Sequence, residues 1–237
     1  MPPDPASDCT VLRPGLVDYQ EAWDEQRRLA EACRDDGRAR LLLLEHPPTY
    51  TFGVRGRQEH LLLSEDALAS LGAAVYRIDR GGDVTFHGPG QLVGYPILDL
   101  HRWHQGPLWF VRSLEATLIE ALSAFGIAGH RVPRRPGVVA GDAKIAAIGV
   151  RVSRGVTSHG FALNVDPDLR YFSYIVPCGL PDVRVTSMAE VLGHAPAMNA
   201  VIDAIANAFA RVFEIEVRDG DRAIAPRAWA PSAGSWR

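Results

Sequence analysis

The chain has 237 residues, of which 47% are hydrophobic and 22% are charged. These shares match those of soluble globular proteins and exclude a disordered or fibrous architecture, while a formal net charge of −3 argues against general nucleic-acid binding, which depends on Lys and Arg. The length suits one substantial core, so we expect a single domain over residues 13–218, between a flexible N-terminus over 1–12 and a flexible tail over 219–237.

The sequence contains no recognisable targeting segment or membrane span. Residues 1–10 lack the basic start and apolar core of a signal peptide, and no window holds the apolar run that a membrane helix needs. Cys9, Cys33 and Cys178 are widely spaced and form no CxxC pair, which favours reduced thiols over a disulfide framework or a zinc site. We therefore expect a cytoplasmic protein without membrane association, and a monomer by default.

Hydrophobic periodicity and turn residues predict a mixture of helices and strands. Apolar residues recur at helical spacing in several segments, Ser64 and Ser187 stand where N-caps are expected, and short apolar runs bounded by Gly or Pro indicate strands. In chain order the prediction is a helix over 19–33, a strand over 41–44, a helix over 64–71, a strand over 73–78, a Gly-rich loop over 81–94, a strand over 95–100, a helix over 107–125, strands over 138–140, 144–152, 159–165 and 171–176, helices over 187–192 and 199–212, and a strand over 214–217. The elements do not follow a strict βαβ alternation, which favours an α/β (α+β) fold in which a mixed β-sheet is flanked by helices.

The most unusual stretch is residues 80–91, Arg-Gly-Gly-Asp-Val-Thr-Phe-His-Gly-Pro-Gly-Gln. Its glycines allow backbone to approach a ligand closely, and its N–H groups can line a concavity for a carbonyl or an anion. It is not a Walker A loop, because no Gly-Lys-Ser/Thr follows at the expected spacing. It is not a dinucleotide fingerprint either, because Val93 stands where the third Gly belongs. A structural turn and a ligand-binding loop both remain compatible with the composition, and loops are where function concentrates.

Cys178 is a candidate nucleophile because Pro177 and Gly179 flank it, a pattern that predicts a rigid turn with an exposed sulfur. A free cysteine is more often a small buried hydrophobe, so this role requires a partner that lowers the pKa of the thiol or takes its proton.

Lys144 is the only lysine among the 25 Lys and Arg residues. It stands at the start of an apolar strand, where an ordinary surface cation of this chain would be Arg. Lys can release a proton when it is partly buried and Arg cannot, so proton transfer would explain the choice; a strand-end lysine that reaches water is the alternative.

The eight histidines show no metal-binding spacing, so we expect no metal site. His87 lies in the Gly-rich loop and His159 begins a strand, and either residue can orient a substrate or be an ordinary hydrogen-bonded histidine.

Four motifs together resemble the lipoyl(octanoyl) transferase family. They are the stretch from Arg80 through Gly-Pro-Gly-Gln-Leu-Val-Gly-Tyr-Pro, Lys144-Ile-Ala-Ala-Ile-Gly-Val-Arg-Val, His159-Gly-Phe-Ala-Leu-Asn-Val, and Pro177-Cys-Gly-Leu followed by Val185-Thr-Ser. The resemblance runs in the family's order over residues 18–192 and includes Glu45-His-Pro-Pro-Thr-Tyr-Thr-Phe-Gly.

The resemblance implies a fold similar to biotin and lipoate protein ligases and a cofactor-free acyl transfer. The donor would be octanoyl-acyl carrier protein, and the acceptor a lysine on the lipoyl domain of an oxo-acid dehydrogenase or on the glycine cleavage H protein. By the family's pattern Cys178 carries the acyl group as a thioester and Lys144 is its acid/base partner. The residues implied to contact the substrate are Arg80, Gly81, Gly82, Asp83, Val84, Thr85, Phe86, His87, Ala147, Ile148, Gly149, Gly160, Phe161 and Ala162.

The sequence departs from the family pattern at two positions. Ala143 stands where members often carry Arg before the lysine, and Asp83 replaces a more usual Gln. Two alternative functions are an ATP-dependent lipoate or biotin ligase, which needs no cysteine nucleophile, and a non-catalytic module that binds acyl carrier protein.

Overall fold

A computed structural model describes residues 8–133, 135–176 and 184–220 of the chain. Strands and helices alternate irregularly over these residues, as the sequence pattern predicts. The strands are β1 (Asp8–Leu16), β2 (Ala39–Glu45), β3 (Thr49–Phe52), β4 (Ala74–Arg77), β5 (Val84–His87), β6 (Gln91–Ile97), β7 (Gly129–Val132), β8 (Arg135–Ala140), β9 (Ala143–Ser153), β10 (Val156–Asn164) and β11 (Glu216–Asp219). The helices are α1 (Tyr19–Asp36), α2 (Glu65–Ser70), α3 (Pro107–Ser123), α4 (Met188–Leu192) and α5 (Met198–Phe213).

The strands build a large and a small sheet. The large sheet has the order β11-β1-β2-β6-β10-β9-β8-β7, and the small one has the order β4-β3-β5. In the large sheet β1 is parallel to β11 and β2, whereas the other neighbouring pairs are antiparallel. In the small sheet β3 is parallel to β4 and antiparallel to β5. Both sheets are therefore mixed, which confirms the predicted architecture.

Strand β2 separates two hydrophobic cores. Leu41 and Leu43 pack with α3 and α5 on one face of the sheet, whereas Leu42 and Leu44 pack with α1 on the other. All four leucines are at most 1% exposed, as the two-residue period of a strand covered on both faces requires. The continuous apolar run that predicts this strand thus also explains why helices cover both sides.

Helix α1 begins and ends where its sequence indicates. The carboxylate of Asp18 accepts hydrogen bonds from the first backbone N–H groups, and Gly37 ends the helix with a φ of 66°, a left-handed conformation that glycine adopts without steric cost. Leu29 and Cys33 face the sheet between these ends. No helix in the described ranges, α1 included, is long and apolar enough to cross a membrane.

The predicted domain boundaries do not coincide with the ends of the ordered elements. Residues 8–12, which we expect to be flexible, belong to β1, because this strand pairs with β2 and β11 far away in the sequence. The boundary after residue 218 falls inside β11. Residues 1–7 and 221–237 lie outside the described residues, so the expected flexibility of the outer termini stays a prediction.

Two local predictions are wrong. Residues 171–176 do not form a strand; a 3-10 helix spans Leu169–Tyr174, capped by the carboxylate of Asp168. Its Tyr171 ring stacks on Phe86 with 4.7 Å between centroids, so a local cap and distant packing together override the β-propensity of the aromatic residues. The Gly-rich loop also contains a strand, β5, which pairs with β3.

Candidate functional site

A cavity of about 1170 Å³ lies between the two sheets. Its walls come from the Gly-rich loop and β5 on one side and from β6, β9 and β10 on the other, and Tyr19 of α1 also contributes. The predicted site residues that line it are Arg80, Gly81, Gly82, Asp83, Val84, Thr85, His87, Lys144, Ala147, Ile148, Gly149, His159, Gly160, Phe161 and Ala162. The fold therefore brings three separate stretches of sequence to one cavity.

Arg80 anchors the Gly-rich loop to the small sheet. The residue is 7% exposed, and its guanidinium donates to the backbone oxygen of Thr51 at 2.6 Å and to the Thr51 hydroxyl at 3.0 Å. The N–H of Gly81 donates to the Val150 carbonyl at 2.9 Å, which docks the loop on β9. Because an arginine does not lose its proton in proteins, Arg80 places a permanent positive charge at the cavity wall.

Asp83, one of the two departures from the family pattern, ties the loop to the chain before α2. Its carboxylate accepts from the Val84 N–H at 2.8 Å and lies 2.5 Å from Nδ1 of His60. The His60 carbonyl in turn accepts from the Val176 N–H at 2.9 Å. Asp83 thus links the Gly-rich loop to the chain that leads into residues 177–183.

The floor of the cavity is made of small residues in two paired strands. Gly149 of β9 pairs with Gly160 of β10, and Ala147 pairs with Ala162. A Cβ at Gly160 would stand 2.1 Å from the Gly94 carbonyl oxygen, and one at Gly149 would stand 2.9 Å from that of Gly81. A methyl group at either glycine would therefore displace neighbouring backbone.

Phe86 is the one described residue of the predicted contact set that does not line the cavity. Its ring is 1% exposed and packs between Tyr50, Tyr171 and Phe172. In β5 successive side chains point to opposite faces, so Thr85 and His87 face the cavity and Phe86 faces the core behind it. The structure therefore places the Phe86 ring in the core behind the cavity, and a substrate contact of this residue stays a prediction.

Lys144 lies at the start of β9, and its main chain is bonded to the segment that follows residue 183. Its N–H donates to the Arg184 carbonyl at 2.8 Å, and its carbonyl accepts from the Thr186 N–H at 2.9 Å. Its side chain lies beside Gly137, where a Cβ would come within 3.0 Å of the lysine Cε. The main-chain bonds to Arg184 and Thr186 fix the backbone of Lys144, and Gly137 leaves space for its side chain.

Cys178 lies outside the described residues, but the chain on both sides of its segment is placed. Val176 is bonded to His60, and Arg184 is bonded to Lys144. The described cysteines do not suit a nucleophile, because Cys9 and Cys33 are fully buried. Burial raises the pKa of the Cys33 thiol to about 11 and raises that of Cys9 further.

His87 is buried and neutral. Its Nδ1 lies 2.8 Å from Oε1 of Gln91 and its Nε2 lies 3.4 Å from the Thr51 hydroxyl. Desolvation, with smaller effects of the His46 and Arg80 charges, lowers its pKa to about 3. A neutral imidazole can orient a carbonyl or a water, but it does not add positive charge to the cavity.

His159 occupies the other end of the cavity from Lys144. It pairs with Val150, six residues after the lysine, which corresponds to roughly 20 Å along a strand. Its Nε2 lies 2.8 Å from Oδ1 of Asp79, and burial lowers its pKa despite that carboxylate. A supporting role of His159 would thus concern the far part of a bound molecule rather than proton transfer at Lys144.

Sequence reasoning missed Gln91 and Asn164, which also line the cavity. Both are almost fully buried, and both occur in the motifs that carry the family resemblance. The available signal was a single amide side chain at the end of an otherwise apolar strand, because buried amides need hydrogen-bond partners. Among the described residues no group of three or more His, Cys, Asp or Glu side chains is placed to hold a metal ion.

Comparison with known proteins gives a family, close relatives and a fold. The model of the "Lipoyl protein ligase A/B catalytic domain" matches residues 18–210. The octanoyltransferase of Solibacter usitatus (strain Ellin6076) is 50% identical over 214 residues, which cover 90% of this chain and 96% of that protein. The octanoyltransferase of Gloeobacter violaceus (strain ATCC 29082 / PCC 7421) is 48% identical over 215 residues, which cover 90% and 93%.

The structural comparison confirms the fold class. A solved structure of the bi-partite lipoate protein ligase of Thermoplasma acidophilum matches with a TM-score of 0.72 over 90% of this chain and 87% of that one, at 16% identity. Because that identity is low, the likeness concerns the fold alone. The family model, in contrast, matches residues 18–210, and the two relatives are 50% and 48% identical over 90% of this chain. The chain therefore belongs to the lipoyl protein ligase A/B catalytic domain family and groups within it with the octanoyltransferases.

Proposed function

We propose that this protein transfers an octanoyl group from acyl carrier protein to the lysine of a lipoyl domain, through a thioester on Cys178. The observation that carries the proposal is the position of Lys144, which lines the cavity while its main chain is bonded to the segment that follows Cys178. The octanoyltransferase relatives at 50% and 48% identity support the acyl group and the reaction class.

In the first half-reaction the Cys178 thiolate attacks the carbonyl carbon of the donor thioester. A new C–S bond forms to Cys178, the C–S bond of the donor breaks, and the Lys144 ammonium gives a proton to the departing thiolate. The small-residue floor at Ala147, Gly149, Gly160 and Ala162 leaves room for the acyl chain. The fixed charge of Arg80 and the backbone N–H groups of its loop supply the polar end of the cavity.

In the second half-reaction the amine of the acceptor lysine attacks the enzyme thioester. Neutral Lys144 takes the proton that this amine loses, the amide bond forms, and the C–S bond to Cys178 breaks to return the thiolate. No ATP is consumed, because the donor thioester already stores the energy of the acyl bond. The acceptors we propose are the lipoyl domains of oxo-acid dehydrogenases and the glycine cleavage H protein. The single catalytic domain over 13–218, the monomeric state and the cytoplasmic location stay predictions.

The test is intact-protein mass spectrometry after mixing the protein with octanoyl-acyl carrier protein in the absence of ATP. We expect one octanoyl adduct on the wild type, none on Cys178→Ala, and unchanged adduct on the matched control Cys33→Ala, whose thiol is buried. Lys144→Ala should slow adduct formation by about 100-fold or more, the usual range for loss of a general acid.

Two outcomes would reject the proposal in different ways. Transfer that requires free octanoate and ATP and survives Cys178→Ala would favour the ligase alternative. Binding of acyl carrier protein without an adduct on the wild type would favour a non-catalytic module.

A further inference from the structure

We propose that Gln91 and Asn164 are positioning residues for Lys144, acting through a chain of hydrogen bonds that runs from Arg80 to the segment bonded to the lysine. This inference rests on the proposed function, since it concerns the same reaction. It assigns a task to two buried amides that the mechanism above does not use.

The orientation of both amides is fixed by main-chain carbonyls, which can only accept. Nδ2 of Asn164 donates to the Thr186 carbonyl at 2.9 Å, and Nε2 of Gln91 donates to the Phe86 carbonyl at 3.2 Å. The second N–H of Gln91 donates to Oδ1 of Asn164 at 2.9 Å. Each side-chain oxygen is therefore an acceptor, and neither amide can be turned around without losing a bond.

The fixed amides also fix the histidine beside them. Oε1 of Gln91 can only accept, so Nδ1 of His87, 2.8 Å away, carries the proton and donates. Nε2 of His87 is then an acceptor, and the hydroxyl of Thr51 can donate to it at 3.4 Å, the longest step of the chain. That hydroxyl already accepts from Arg80.

The bonds consequently all point the same way. Arg80 donates to Thr51, Thr51 to His87, His87 to Gln91, Gln91 to Asn164, and Asn164 to the Thr186 carbonyl. In such a head-to-tail chain each bond polarises the next, and burial strengthens the effect because the local dielectric is low. The permanent charge of Arg80 is thus coupled to the backbone carbonyl of Thr186.

That carbonyl belongs to the residue that holds Lys144. The Thr186 N–H donates to the Lys144 carbonyl at 2.9 Å, and the Arg184 carbonyl accepts from the Lys144 N–H at 2.8 Å. Asn164 therefore holds the segment 184–186 from one side while the lysine strand holds it from the other. Losing the Asn164 bond would let this segment, and with it the main chain at Lys144, shift relative to the cavity.

Asn164→Asp tests this step with almost no change in shape. The aspartate keeps an acceptor for Gln91 but has no N–H for the Thr186 carbonyl and faces it with a negative charge. Gln91→Glu is the second variant: it keeps the acceptor for His87 and loses the donor to Asn164, without touching Thr186. Asn199→Asp makes the same chemical change at an exposed position in the first turn of α5 and is the matched control.

We expect kcat for octanoyl transfer to fall roughly 10- to 100-fold in both variants, the range for a catalytic group misplaced by about 1 Å, while KM for the donor changes far less. Asn199→Asp should behave as the wild type. Alkylation of Cys178 by iodoacetamide, which needs no acyl donor, should slow in both variants toward the rate of Lys144→Ala. Circular dichroism and thermal unfolding report whether each variant is folded, and one folded variant is sufficient for the test.

Two results would overturn the inference. One is an unchanged kcat in a folded variant, and the other is a loss confined to KM, which would make the amides part of the binding wall only. The proposed function is judged separately in the same assay, because its failure would appear as the absence of an octanoyl adduct on the wild type and on Asn199→Asp.

Discussion

Gly149 shows how a single missing side chain keeps the candidate site open. An added Cβ would lie 2.9 Å from the Gly81 carbonyl oxygen and 3.0 Å from Cδ of Arg80. The same loop is held to β9 by the bond from the Gly81 N–H to the Val150 carbonyl. Because backbone lies on the other side of the gap, the loop must move if residue 149 gains a methyl group.

We predict that Gly149→Ala lowers the free energy of unfolding by about 1–3 kcal/mol, as expected for overpacking, and slows formation of the octanoyl adduct. Urea unfolding and time-resolved mass spectrometry measure the two effects. Gly106→Ala is the control, since no atom lies within 4 Å of the position of its Cβ. Equal adduct rates in Gly149→Ala and the wild type would show that the loop does not need its contact with β9.

At the scale of elements, the sequence predicts a single helix or strand better than it predicts which strands pair with each other. The cap at Asp18 and the glycine at 37 act within one helix, so local pattern suffices to place α1. Strand β1 depends on β2 and β11, and the pairing of β5 with β3 lies inside a loop rich in glycine. Local composition carries no information about either pairing.

The same distinction explains which site residues the sequence predicts. Lys144 stands out by its type alone, since it is the only lysine of the chain. The roles of Gln91 and Asn164 can be read only from the structure, because these two side chains, 73 positions apart, bond to each other. Phe86 differs from Thr85 and His87 only in the face of β5 on which its side chain lies. Their roles follow from strand order, which the sequence pattern leaves open.

The side chain of Lys144 lies against strand β8, and helix α3 holds β8 in place. The carboxylate of Glu115, 1% exposed, accepts from the Gly137 N–H at 3.3 Å and pairs with Arg112 at 2.8 Å and Arg131 at 3.0 Å. Gly137 has a φ of 129°, which favours glycine. Its open side leaves the space that Lys144 Cε occupies.

We predict that Gly137→Ala slows octanoyl adduct formation by roughly tenfold or more, because the methyl group would lie 3.0 Å from Lys144 Cε and 2.4 Å from the Ala146 carbonyl oxygen. Gly126→Ala is the control for backbone strain, since Gly126 also has a positive φ but no atom within 4 Å. Both variants should lose stability, and the first should also lose activity. The same rate in both variants would mean that strain alone explains the effect.

At the scale of the whole molecule, neutral histidines lie where the two sheets and α1 meet. The ring nitrogens of His46 lie 2.8 Å from the Val17 carbonyl and 2.7 Å from the Tyr95 hydroxyl. Its ring centroid is 5.9 Å from that of His87 and 4.9 Å from that of Tyr19. Both histidines are buried, so folding removes two titratable rings from water.

This burial makes the stability of the fold depend on pH. Desolvation lowers the pKa of His46 to about 4 and that of His87 to about 3, whereas an unfolded histidine has a pKa of about 6.5. Between these values the unfolded chain binds protons that the folded chain does not, so stability rises with pH there. The contribution is complete above about pH 6.5 and is lost as the pH falls toward the folded pKa values.

We predict that the free energy of unfolding falls as the pH is lowered from 7.5 to about 5, with each histidine contributing up to about 1.4 kcal/mol per pH unit below its unfolded pKa. Urea unfolding at a series of pH values measures the slope, and this window lies above the range in which carboxylates begin to protonate. His46→Gln should reduce the slope by roughly a third to a half, since it removes one titration and leaves those of His87 and of His159, whose pKa burial also lowers. The glutamine amide can still donate to the Val17 carbonyl and accept from the Tyr95 hydroxyl. His194→Gln, at an exposed position, should leave the slope unchanged because its ring is solvated in both states. If His46→Gln kept the wild-type slope, the acid sensitivity would have to come from groups other than His46.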